Sequence, residues 1–354
     1  MRLALADVTG SAAVEPTGIW AAVDAAVDRA PTLADVRSHR LELFAARRWR
    51  ARGRPVPADF LELERRASVG ALTAPVLLER VREVCAGEPV VVLKGPEVAA
   101  RYPDPALRVF GDLDVLVRNA EAVQAALLAA SFEEVGDPSL YLGIHHLRPL
   151  RLGSLPLVVE VHARPKWIDA VPPPPVDELL DAAVPLPSGL YALPPAEHAL
   201  VLAAHSWAHE PLRRLRDLLD VVLLAEEAGR DETARVARAW GVERLWRATI
   251  GAADAVLLGG PTTWPLRLWA QNLGRVRERT VLENHLQRWL SDFSVGPPGR
   301  AVAGWRETFV RELGPEGDEG WGAKLSRSVH ALRNARLRRS AHDEELAQEP
   351  SRRG

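Results

Sequence analysis

The sequence predicts an α+β protein, a small mixed sheet set between an N-terminal helical segment and a C-terminal helical domain. Three observations predict it. Apolar residues recur at helical spacing through most of residues 17–86 and again beyond residue 195. Between those stretches, residues 89–165 hold short β-branched runs closed by glycine or proline. A proline-rich stretch, "VPPPPVDELLDAAVPLPSGLYALPP" (171–195), then separates the strands from the later helices.

Taken in order, "TGIWAAVDAAVDRA" begins at Thr17, a residue suited to cap a helix, and "TLADVRSHRLELFAARRWRARG" repeats the helical pattern up to Gly53. "VPADFLELERRASVGAL" carries Pro57 near its start, where the missing N–H costs nothing, and a further helix over 74–86 closes at "AGEP". "PVVVLKG" (89–95) and "LDVLVR" (113–118) read as strands. "NAEAVQAALLAASF" follows as a helix capped by Asn119. "YLGIHHLRPLRLGSLPLVVEVHARP" reads as strand, turn and strand. The boundaries that result are 1–73 for the N-terminal helices, 74–170 for the α/β core, 171–195 for the connection, 196–340 for the C-terminal helices and 341–354 for a disordered tail.

Composition narrows the function. The chain has 354 residues, which argues for about two domains, and a formal net charge of −2. That charge gives no global field toward nucleic acid or an acidic membrane. One cysteine, Cys85, forbids an internal disulfide and reads as a small buried residue. No apolar run reaches the roughly 18 residues of a membrane span, and the N-terminal stretch, interrupted by Asp7, is too short for a secretory signal. A cytoplasmic location is the expectation. Among 45 basic residues only Lys94, Lys166 and Lys324 are lysine, so each lysine is informative in a chain whose default cation is arginine.

The chemistry concentrates in "RVFGDLDVLVR" (108–118). Asp112 and Asp114 are two residues apart, so on a strand both carboxylates leave one face while Leu113 and Val115 leave the other. Like charges that close resist burial unless a cation sits with them. Such a pair suits one or two hard divalent cations such as Mg²⁺; the plain alternative is a solvated strand edge. In "PLVVEVHARP", Glu160 and His162 share a face opposite Val159 and Val161, so Glu160 is a third acid in a buried run. Paired with those aspartates it completes a triad able to hold metal or to act as a base; otherwise it pairs with Arg108 or Arg148. Upstream, Lys94 and Gly95 end a strand, where a glycine lets backbone approach a phosphate and a lysine meets phosphate oxygens. Arg108 is a further candidate to grip a triphosphate or pair with the acids.

The series "LKG", "R…DLDVLV", a helix ending in "ASF", and "HHL…VEVH" resembles the DNA polymerase β-like nucleotidyltransferase superfamily, and within it a bacterial group of uncharacterised nucleotidyltransferases. The resemblance spans roughly residues 75–225. It implies a nucleotidyltransferase core, an NTP substrate, a Mg²⁺ or Mn²⁺ cofactor on Asp112 and Asp114, and less directly on Glu160, and phosphate contacts from Lys94, Gly95 and Arg108. The sequence departs from the superfamily where Pro96 follows Gly95: the loop lacks the usual second glycine or serine, and proline donates no N–H.

His145, His146, His162 and Asp220 are candidates for an acceptor pocket. His205 and His209 sit four apart on one helical face, but "HSWAH" lacks the glutamate of a zinc-protease helix, so packing or acceptor recognition is the better reading. Asp217 and Asp220 read as partners of Arg213, Arg214 or Arg216. The expected activity is transfer of a nucleoside monophosphate from an NTP to a hydroxyl of a small molecule or peptide, rather than RNA, in specialised metabolism. The alternatives are a catalytically silent binding protein on the same fold, and phosphoryl or glycosyl transfer from a nucleotide donor.

Overall fold

The computed structural model describes residues 17–313 except 86 and 142, together with 320–326 and 329. The tail expected over 341–354 lies outside the described residues. Four helices come first: α1 (Thr17–Arg29), α2 (Leu33–Ser38), α3 (Glu42–Ala51) and α4 (Ala58–Val84). The two helices expected over 57–86 are one, and α4 runs through Pro75. Gly70 is buried in it where a Cβ would lie 3.7 Å from Leu157, so the glycine marks a close helix–sheet approach and not an end.

The central region supplies β1 (Val91–Val92), α5 (Pro96–Ala99), β2 (Asp112–Leu116), α6 (Ala120–Ala129), β3 (Phe132–Glu134), β4 (Leu150–Leu152) and β5 (Val158–His162). The strand, turn and strand expected over 141–165 form as β4, the turn at Gly153-Ser154 and β5, with β4 confined to the three residues before the turn. Residues 138–141 make a 3₁₀ turn, and His146 contributes only an isolated bridge to His162. The proline-rich connection holds α7 (Val176–Ala182) and two short strands, β6 (Val184–Pro185) and β7 (Tyr191–Ala192). All seven strands form one sheet in the order β3-β4-β5-β2-β1-β7-β6. β2 pairs parallel with β5 and antiparallel with β1, and β1 pairs parallel with β7, so the sheet is mixed.

Beyond Pro194 the described chain is helical: α8 (Pro195–His209), α9 (Leu215–Ala228), α10 (Arg230–Ala239), α11 (Glu243–Leu257), α12 (Trp264–Leu268), α13 (Gln271–Arg275), α14 (Val281–Leu290), α15 (Asp292–Val295) and α16 (Pro298–Leu313). The sheet separates two apolar cores. On one face Leu113, Val115, Val159 and Val161 pack against α4 and α6. On the other, Val91, Leu93 and Leu116 join residues of α1, α3, α8, α9 and α11. α1, α3, the first part of α4 and the C-terminal helices therefore share one core on the same side of the sheet, the side toward which alternation sends Asp112, Asp114 and Glu160. Among the described residues no helix is long and apolar enough to cross a membrane.

Candidate active site

The register of the two central strands builds the site. Asp112 lies opposite Val158 and Asp114 opposite Glu160, so the two acids expected from separate motifs stand side by side across a parallel pair. Leu116 lies opposite His162. Asp114, Glu160 and His162 each bring a ligand atom within 4.8 Å of the others, a donor set able to hold a cation. Asp112 lines the same cleft two residues nearer the start of the strand, outside that cluster. The cleft holds about 440 Å³ between the β2–β5 edge and the starts of α3 and α9, with Lys94, His145, His146, Lys166 and His205 also on its walls.

Asp114 is 2% exposed. His162 Nε2–H donates to its Oδ1 at 2.7 Å, and Lys94 Nζ lies 3.5 Å from Oδ2. Burial works to raise the Asp114 pKa, yet Lys94 and His162 outweigh it and hold the group well below the usual carboxylate range. Glu160 moves the other way. Burial, then Asp114, then Asp112 push it up to about 8. Two neighbouring carboxylates whose proton affinities are driven apart are what like charges do in a partly dry site. Among the described residues no arginine answers Glu160, since Arg148 pairs with Glu134 and Arg108 with Asp220. Its neighbours are His146, 3.7 Å away, and His162, 3.8 Å away.

The histidines divide. His145 and His146 line the cleft, while His162 is 2% exposed and lies beneath, holding Asp114. Burial and then the neighbouring His162 lower His145 to about 3, so it is neutral at physiological pH. His146 Nδ1–H donates to the Leu147 carbonyl at 2.7 Å, which leaves Nε2 bare toward Glu160. His205, on α8, accepts from Lys94 Nζ at 2.7 Å, and burial followed by that ammonium holds its pKa well below the ordinary value. His209 accepts from Lys166 at 3.2 Å. The two α8 histidines therefore face the two lysines of the cleft, and neither joins a metal-ligand cluster among the described residues.

Three expected residues are already committed: Arg108 and Asp220 to each other on the cleft wall, and Gly95 to a turn outside it. Arg108 is buried and donates through Nε and Nη2 to both oxygens of Asp220, each at 2.9 Å, and Tyr102 donates to Asp220 at 2.5 Å. The pair is a closed structural ion pair at the edge of the cleft, so Arg108 is not a spare cation, nor Asp220 a spare acceptor, and Asp220 pairs with none of Arg213, Arg214 or Arg216. Gly95 is buried, with φ +78, and a Cβ there would lie 3.0 Å from Leu113. Its place is a tight turn against the sheet, away from the cleft lining. Of the anticipated phosphate contacts, Lys94 and Arg108 line the cleft, and Arg108 does so with its guanidinium engaged by Asp220.

Sequence reasoning missed Lys166, Arg40, Glu42, Arg214 and Arg216 as cleft residues. The scarcity of lysine was the available signal for Lys166. Nothing local marks the arginines in a chain with so many.

The mixed sheet turns acids from two adjacent strands into a polar cleft that cations also line. The chain belongs to the family described as "Uncharacterised nucleotidyltransferase", whose model matches residues 27–257. That match ends on the last residue of α11, so the family unit includes the helices that close the cleft as well as the sheet. Comparison with curated proteins and with solved structures returned no match.

Proposed function

We propose that the protein transfers a nucleoside monophosphate from an NTP to a hydroxyl of a small molecule or peptide, with Asp112, Asp114 and Glu160 as the acids of a Mg²⁺ or Mn²⁺ site. One observation carries this reading. Asp114 Oδ2 is buried without a hydrogen-bond partner, beside a Glu160 whose carboxylate form is disfavoured by its neighbours. Both features are relieved by a cation among the three acids, and oxygen donors suit these ions. When bound, the cation offsets charge on the acids and on the reacting phosphates.

The protein's own groups do the rest. His162 fixes the orientation of Asp114, leaving Oδ2 toward Lys94. Lys94 offers its ammonium to phosphate oxygens, and His205 supports it from α8. Glu160 at about 8 is a stronger base than an ordinary carboxylate and is placed to take the acceptor's proton or to serve as a ligand. The acceptor oxygen bonds the α-phosphorus, the bond from that phosphorus to the bridging oxygen breaks, and pyrophosphate leaves. The formal charge of −2 supports an acceptor smaller than a nucleic acid.

Thermal melting across NTPs and divalent metals tests the reading. Mg²⁺ with an NTP should raise the melting temperature, and the Asp112→Ala, Asp114→Ala double variant should lose that rise. No shift with any NTP in any metal would overturn it, and a shift with sugar nucleotides alone would favour glycosyl transfer.

A further inference from the structure

The anticipated phosphate grip is mostly absent from the cleft: Gly95 is turned into the sheet, Pro96 has no N–H, and Arg108 is held by Asp220. Yet the cleft has a second cationic wall. Arg40 comes from the α2–α3 junction, and Arg214 and Arg216 from the first turn of α9. Cations are disfavoured at the start of a helix, where the dipole is positive, and disfavoured beside one another. His39 explains how they meet. Its buried ring donates to the Arg277 carbonyl and accepts from the Leu215 N–H, and its own carbonyl accepts from the Arg216 N–H. Residue 39 thus caps α9, and residue 40 is set down next to the α9 arginines.

The cost of this arrangement is visible. Arg40 adopts φ +58, a left-handed backbone that a side-chain-bearing residue takes at a strain of about 1–3 kcal/mol. Its side chain has no hydrogen-bond or ion-pair partner among the described residues. Burial, then Arg216 and Arg214, lower its pKa. Arg216 donates to the Val109 carbonyl at 3.0 Å, while its buried Nε has no partner. Asp220 on the same wall is taken up by Arg108 and Tyr102. Glu210 is engaged by Arg213 and Arg214, Asp217 lies 3.9 Å from Arg216, and Glu42 is raised by burial. Among the described residues the guanidinium of this wall left without a hydrogen-bond or ion-pair partner is that of the strained, exposed Arg40.

We propose that Arg40, Arg214 and Arg216 form the site for the polyphosphate tail of the NTP, in place of a phosphate-binding glycine loop. The placement fits. Val109, which Arg216 holds, is three residues before Asp112, so the guanidinium contacts the chain within about 10 Å of the first acid along the backbone. Planar guanidiniums engage phosphate oxygens two at a time, and an anion among them relieves their mutual repulsion. The assignment rests on the nucleotidyl-transfer reading for its ligand, and its test does not use the acids.

The test is calorimetric titration of metal-free protein with inorganic tripolyphosphate, and separately with ATP, for wild type, Arg40→Gln, Arg214→Gln and the double variant. Arg235→Gln, an exposed charge on α10 paired with Glu232, is the control. Thermal melts confirm that each variant folds. Tripolyphosphate and ATP should each bind the double variant at least about tenfold more weakly than wild type, with Arg235→Gln unchanged. Equal binding of tripolyphosphate by wild type and double variant, or none by wild type, overturns the site. Weakened tripolyphosphate with unchanged ATP overturns the nucleotide assignment and gives the arginines to an anionic acceptor. Loss of Mg²⁺-ATP stabilisation in the Asp112→Ala, Asp114→Ala variant bears on the acids alone, so the two readings fail separately.

Discussion

Removing Asp220 should cost the protein about 3–5 kcal/mol, and removing Asp220 together with Arg108 should cost far less. Asp220 accepts three hydrogen bonds, two from Arg108 and one from Tyr102, and both charged residues are 5% exposed. Asp220→Ala leaves a guanidinium buried without its counter-ion, along with an orphaned tyrosine hydroxyl. Its cost is therefore the desolvation of Arg108 more than the loss of the contacts. Replacing both, as Arg108→Met with Asp220→Leu, removes the stranded charge and fills similar volume, which in buried pairs is often neutral. Tyr102→Phe alone removes one hydrogen bond and should cost about 1 kcal/mol. Urea denaturation followed by tryptophan fluorescence measures all three. A loss under about 1 kcal/mol for Asp220→Ala, or a double variant as unstable as the single, would refute the closed-pair assignment. Nucleotide titration of the folded double variant adds a second check. Retained affinity agrees with a structural Arg108, and lost affinity would return that residue to the phosphate site.

Two further outcomes follow from the sheet. Glu160 holds a proton to about 8 in the folded protein against an ordinary value of 4.5, so its contribution to metal-free stability is complete below pH 4.5 and is lost as pH rises to about 8. The loss is about 5 kcal/mol at most. Glu160→Gln should flatten melting temperature against pH over that window, and parallel profiles for wild type and variant would contradict the shift. Gly95→Ala places a Cβ 3.0 Å from Leu113 on a backbone of φ +78 and should destabilise by about 1–3 kcal/mol, read by urea denaturation. A neutral effect would mean that the turn is looser than its contacts indicate.

What was legible in the sequence is what depends on neighbours along the chain. The period-two alternation through Asp112–Leu116 and Val158–His162 assigned each side chain to its face, and the structure keeps that assignment in two separate cores. The same logic failed where the local signal was ambiguous. Residues 57–86 read as two helices, but α4 runs through both Gly70 and Pro75 as one, with Gly70 set against Leu157. β6 and β7 are two residues each, too short for a periodic signal, and exist because β1 offers β7 an edge.

Charge pairing was the least legible part, for a physical reason. Which cation serves which acid is decided by contacts between residues far apart in the chain, such as Arg108 with Asp220 or Lys94 with His205. In a chain this rich in arginine, sequence spacing offers several partners at similar separation, and only the fold chooses. Once the fold has chosen, the charges left over become informative. Among the described residues Glu160 has no arginine or lysine within ion-pairing distance and Arg40 has no carboxylate within it, although both border one cleft. Those two groups do not neutralise each other across the cleft, as a purely structural arrangement would. The proposed metal-bound nucleoside triphosphate, cationic at its metal and anionic along its phosphates, would answer both at once.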